Sequence, residues 1–144
     1  MSRVINVNSP TKIRNHHRRT IAEILRQLMQ KASFDAEAKD MAAFIVLALQ
    51  EIYDVSETSA AAWEKRGYWM KAERFLREWR WAIECAADLD DVLRNEAWDL
   101  VPELIITIYP RFTDIELKRM LRKPETWQGA YQRLMATEPR PLPY

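Results

Sequence analysis

Asp90 is the carboxylate whose place in the sequence sits least easily with water. At 3.6 residues per turn it falls in line with Trp79, Ile83, Ala86 and Leu93, and an ionised carboxylate on an apolar stripe must find a cation. Helix-compatible spacing places Arg14, His17 and Arg18 in line with Ile21, Ile24, Leu25 and Leu28. Asp90 and His17 are therefore expected to form a buried structural pair, with the two arginines as substitutes. Reactive chemistry has less to work with. The two histidines, His16 and His17, precede the first acid, Glu23, so no Glu-x-x-His pair of a di-metal bundle occurs. One cysteine, Cys85, beside adjacent histidines does not build a closed zinc site. The two glycines, Gly67 and Gly129, are too far apart for a phosphate-cradling loop. The expectation is no catalytic residue, no metal and no cofactor.

A second constellation holds anchors. Wound as one helix from Ala60 to Arg94, the chain puts Tyr68, Trp69, Ala72, Phe75, Leu76, Trp79 and Ile83 on one apolar face. Trp63, Met70, Arg74, Arg77 and Trp81 then gather on the opposite face. Tryptophan and arginine carry much of the energy at protein interfaces, and Arg77 lies four residues before Trp81, within stacking reach. This face predicts a protein partner or a homo-oligomer, unless C-terminal helices cover it and make it core.

Charge supplies a third set. Twenty-two Lys and Arg against twenty-one Asp and Glu leave +1, but the distribution is blocky: residues 1–20 hold five cations and no acid. Arg14, Arg18 and Arg19 there, with Lys118, Arg119, Arg122 and Lys123 near the other end, are candidate nucleic-acid contacts. Leu117, Met120, Leu121, Trp127, Tyr131 and Leu134 give residues 113–134 the apolar spacing of a helix-turn-helix, which the segment resembles. The resemblance implies a recognition helix opened by Glu125 and Thr126 and a DNA duplex as partner. An ordinary helical hairpin fits the same pattern.

Two acidic clusters, Glu37-Ala-Lys-Asp40 and Glu51-Ile-Tyr-Asp54, resemble those of MazG-type all-α nucleotide pyrophosphohydrolases. That resemblance implies magnesium held between carboxylates of adjacent helices. Here both clusters fall on one helix about 21 Å apart, so two copies of the chain would have to meet.

The elements that position these residues read as helices. A first helix runs from Ile13 to Met29, started by Ser9-Pro10 or by Asn15. A second, from Ala38 to Tyr53, is apolar almost all round, so Phe44, Val46 and Leu47 outside its main stripe need cover. A turn is expected over Val55–Ser59, and the long third helix follows. The stretch from Glu103 to Tyr109 reads as a short helix between Pro102 and Pro110. Thr113 with Glu116 opens another to Arg122, and Pro124 opens a last one to Met135. Residues 1–12 should be an extended basic arm, and the alternating prolines of Glu138–Tyr144 an extended tail. The sum is a single all-α domain over 1–144, an antiparallel bundle of three long helices with two or three shorter C-terminal ones. Without an apolar run of bilayer length or a signal-peptide core, a cytoplasmic protein with no membrane partner is expected. Three functional readings remain open: an interaction or scaffold subunit, a nucleic-acid binder, and the MazG-like enzyme.

Overall fold

Ser9, not Asn15, starts the first helix: its hydroxyl accepts the Lys12 N–H at 3.3 Å and Pro10 occupies the first helical position. Helix α1 spans Pro10–Met29 in the computed structural model, which describes residues 9–144. Most of the extended arm expected over 1–12 lies outside the described residues, and residues 10–12 are already helical. Helix α2, Ala36–Lys65, opens on the Asp35 carboxylate, which accepts the Ala38 N–H at 2.9 Å.

The turn expected over Val55–Ser59 is not there. Ser56, Thr58 and Ser59 fold their hydroxyls onto the carbonyls of Ile52, Asp54 and Val55, which lets helix α2 run through a stretch of turn-like composition. The chain reverses at Gly67 instead, whose φ of +85° suits glycine. Helix α3 accordingly spans Trp69–Arg94, and Trp63 belongs to α2.

After α3 come a 3-10 turn at Trp98–Leu100, helix α4 over Val101–Ile108, and a second 3-10 turn at Tyr109–Phe112. The helix expected over Thr113–Arg122 is absent, and the segment runs irregularly along α1. The one expected over Pro124–Met135 is cut to a 3-10 turn at Pro124–Thr126 and helix α5 at Ala130–Met135, separated by Gly129 at φ +79°. No helix-turn-helix forms. The tail from Glu138 to Tyr144 has neither helix nor ladder and lies back on the bundle, with Arg140 pairing Asp54 and the Tyr144 hydroxyl donating to Glu84.

Every described element is helical or irregular, and the architecture is an all-α bundle. Helix α2 is its axis. Ala38, Ala42, Ala43 and Ala48 keep its surface low, so α1, α3 and α5 approach closely and bury Met41, Ile45, Leu49 and Ile52. Val46 is buried and Phe44 and Leu47 are half-buried against the same core, so the chain itself covers much of that side. Phe112 and Leu134 plug the core from the C-terminal segments. Among the described residues no helix is long and apolar enough to cross a membrane.

Candidate functional site

The buried carboxylate is where the helix register put it, but its partner is different. Asp90 takes both oxygens to Arg94 Nε at 2.9 Å, one turn along α3. Arg94 also donates to the carbonyls of Leu134 at 3.0 Å and Thr137 at 2.8 Å, tying α3 to the end of α5. The expected Asp90–His17 pair does not form: His17 Nε2 stands 3.2 Å from Glu51. Local geometry wins because a residue four positions on needs no tertiary arrangement to arrive.

The anchor face divides. Trp63, on α2, is half-buried with its ring edge-on to Phe75, and Lys71 Nζ lies 4.7 Å from its centroid. Trp81 packs edge-on against Phe112 with the Arg111 guanidinium 5.2 Å over its ring, so the C-terminal segment covers it. Arg77 pairs with Glu73 rather than stacking on Trp81, and Arg74 is exposed. Of the three apolar members of the five, Met70 alone stands far out, 76% exposed. Beside it Trp69 is 65% exposed and Tyr68 about half exposed, although both were expected on the core face. They sit at the α2–α3 reversal, ahead of the point where α3 meets the core.

The four MazG-like carboxylates are occupied by their own chain. Glu37 accepts from Trp127 Nε1 and Lys31, Asp40 from the backbone N–H groups of Gly129 and Tyr131, Glu51 faces His17, and Asp54 faces Arg140. Asp40 thereby supplies the polar start of α5. Among the described residues no group of three or more His, Cys, Asp or Glu side chains is disposed to hold a metal ion.

The cations separate into spent and unspent. Arg14 is 8% exposed, bonded to Ser59 and Thr11 and lying 5.0 Å over Phe75 and 5.2 Å over Trp79; burial lowers its pKa. Arg18 donates to the Arg111 carbonyl at 2.7 Å and to Asp114 at 2.9 Å. Arg19, Lys118 and Arg119, which enter no ion pair among the described residues, and Arg122, whose Nη1 lies 3.5 Å from Glu23, line a cavity of about 510 Å³ with His16, Glu116, Leu117 and Leu121. Lys123 is exposed beside it. His16 is held below the usual histidine range by burial first, then by His17 and Arg122, against a raising effect of Glu51.

A second, apolar groove of about 400 Å³ lies at the other end of the bundle from the α2–α3 reversal. Leu28, Met29, Phe34, Val101, Ile105 and Ile106 form its walls. Neither groove is visible as a spacing in the sequence, since each joins segments far apart in the chain; the exposed cluster at the α2–α3 reversal does have a local sign, Gly67 followed by Tyr68, Trp69 and Met70. No family model matches the chain, and no characterised protein or solved structure matches it.

Proposed function

We propose that the protein is a helical interaction subunit that assembles with further copies of itself, end to end. The observation that carries this reading is the exposed Tyr68-Trp69-Met70 knob at the α2–α3 reversal. Large aromatic and methionine side chains left in water at a rigid helical end are the residues interfaces bury. The apolar groove at the opposite end is their complement in kind. Charge agrees: Lys65, Arg66, Lys71 and Arg74 surround the knob with Glu64 and Glu73, whereas Glu96, Asp99 and Glu103 flank the α4 side of the groove with no cation from Asn95 to Pro110, and Lys31 on its other wall is paired with Asp35 and Glu37. Knob into groove is a heterologous contact, which propagates as a ring or a filament rather than closing as a two-fold dimer.

Sedimentation velocity from micromolar to sub-millimolar concentration tests it. The wild type should gain mass with concentration, and Trp69→Ala with Met70→Ser should stay monomeric at unchanged helicity. Ile106→Glu, at the other end, should do the same. A mixture of the two variants should stop at dimers, because each retains one intact end. A wild type monomeric throughout the range refutes the reading.

A further inference from the structure

The segment 111–122, irregular beyond the 3-10 turn that ends at Phe112, is held by an unusual amount of polar bonding. Three charged side chains of α1 reach it. Arg18 takes the Arg111 carbonyl and the Asp114 carboxylate, and Arg26 donates to the carbonyls of Ile115 at 2.5 Å and Phe112 at 3.5 Å. Glu23, 0% exposed, accepts the backbone N–H groups of Leu121 at 2.9 Å and Arg122 at 2.6 Å. Fixing irregular backbone costs conformational entropy at each residue, and side chains drawn from one helix offset that cost here. The result is an ordered strap whose second half, Glu116 to Arg122, stands over α1 beside His16 and Arg19.

Between strap and helix lies the cavity of about 510 Å³, a size typical of small-molecule sites. Four cationic side chains face one carboxylate there. Arg122 is preset by Thr20, 3.1 Å from its Nε, and by Glu23, 3.5 Å from its Nη1. Among the described residues Arg19, Lys118 and Arg119 enter no ion pair, so their mutual repulsion is relieved only by solvent or by an anion. Cations gathered on one concave surface focus their field on whatever enters it. Leu117 and Leu121, the latter 60% exposed, add an apolar wall beside the charges.

We infer that this cavity binds a small phosphorylated molecule, its phosphates on Arg19, Lys118, Arg119 and Arg122 and an apolar or aromatic moiety on Leu117 and Leu121. Arginine matches phosphate oxygens with paired N–H donors, and lysine adds a point charge. A nucleic-acid duplex fits less well. It is read by a helix or ribbon laid in a groove or along an extended cationic stripe, and the strap forms no helix while Arg14 and Arg18 are consumed inside the fold. This inference stands apart from end-to-end assembly, since neither the knob nor the apolar groove takes part in it.

Isothermal titration calorimetry on the full chain at low salt tests the site with ADP, pyrophosphate, adenosine and a short DNA duplex. ADP should bind, adenosine should give no measurable heat, and raising the salt should weaken ADP. Arg119→Ala and Arg19→Ala, both exposed and so expected to fold, should each weaken ADP about tenfold. Pyrophosphate matching ADP would support an inorganic source, and pyrophosphate weaker than ADP a nucleotide-like one; both outcomes support a phosphate site. The inference is overturned if neither phosphorylated probe binds, if the two arginine variants bind ADP as the wild type does, or if the duplex alone binds.

Discussion

Replacing Asp90 by alanine should destabilise the fold by about 2–3 kcal/mol. Removing one member of a buried ion pair costs about 3–5 kcal/mol, because the other charge is left desolvated. Two features of the site reduce that figure. The Arg94 side chain is 18% exposed, so water reaches part of it, and its Nη groups keep the carbonyls of Leu134 and Thr137. For a chain of this length the loss lowers Tm by roughly 6–10 °C. Urea unfolding followed by circular dichroism measures it. The double variant Asp90→Leu with Arg94→Met separates the charge from the contacts: it removes the stranded cation together with the Arg94 bonds to the carbonyls of Leu134 and Thr137, of which the Leu134 carbonyl keeps the Thr137 hydroxyl. Recovery should therefore be nearly complete, short by about 1 kcal/mol for the lost tie between α3 and α5. A loss under about 0.5 kcal/mol for Asp90→Ala, the range of ordinary surface changes, would refute the argument.

Glu23→Gln keeps the shape but substitutes a neutral amide for the anion that two N–H groups and Arg122 share. Hydrogen exchange at Leu121 and Arg122 should accelerate at least tenfold while the α2 core amides stay protected; equal protection in both proteins would show that the strap is held by something else. His16 is depressed in the folded chain, so the unfolded chain binds its proton first as pH falls, and stability should decline below about 6.5 until the folded value is passed. NMR titration of the His16 ring should give a pKa under 6.5, and His16→Gln should flatten the stability profile in that window; a ring that titrates above 6.5 refutes the expected lowering.

What the sequence made legible follows from how local each determinant is. Ser9-Pro10, Asp35 and the apolar stripes of α1 and α2 act within a turn or two, and those helices begin at Pro10 and Ala36, within three residues of the expected Ile13 and Ala38. The end of α2 was illegible because Ser56, Thr58 and Ser59 behave as turn residues or as helix residues according to where their hydroxyls point. Residues 113–122 have a helix-compatible pattern that is never cashed in. Glu23 and Arg26 claim the N–H and C=O groups of Leu121, Arg122, Ile115 and Phe112, partners more than 80 positions away, and no periodicity records that competition. Asp90 shows the same division inside one residue: its burial follows from register, and Arg94 at i+4 was the nearer partner than any cation on α1.

The basic N-terminal stretch bears most directly on what the chain does, since its charges look alike in sequence and have three different fates. Arg14 is enclosed by Phe75 and Trp79 with hydroxyl partners alone, so its guanidinium is desolvated and its work is to close the gap between α1 and the start of α3. Arg18 is one turn on, where it pins Arg111 and Asp114 and holds the near end of the strap. Of these three arginines Arg19 keeps its charge for solvent, and it does so on the side of α1 that the strap overhangs. A polyanion drawn to the bare count of five cations would find two of them spent inside the fold. A compact phosphate meeting Arg19 together with Lys118, Arg119 and Arg122 finds four on one concave surface, and that contrast between count and placement is why the cavity, not the basic sequence, defines the ligand.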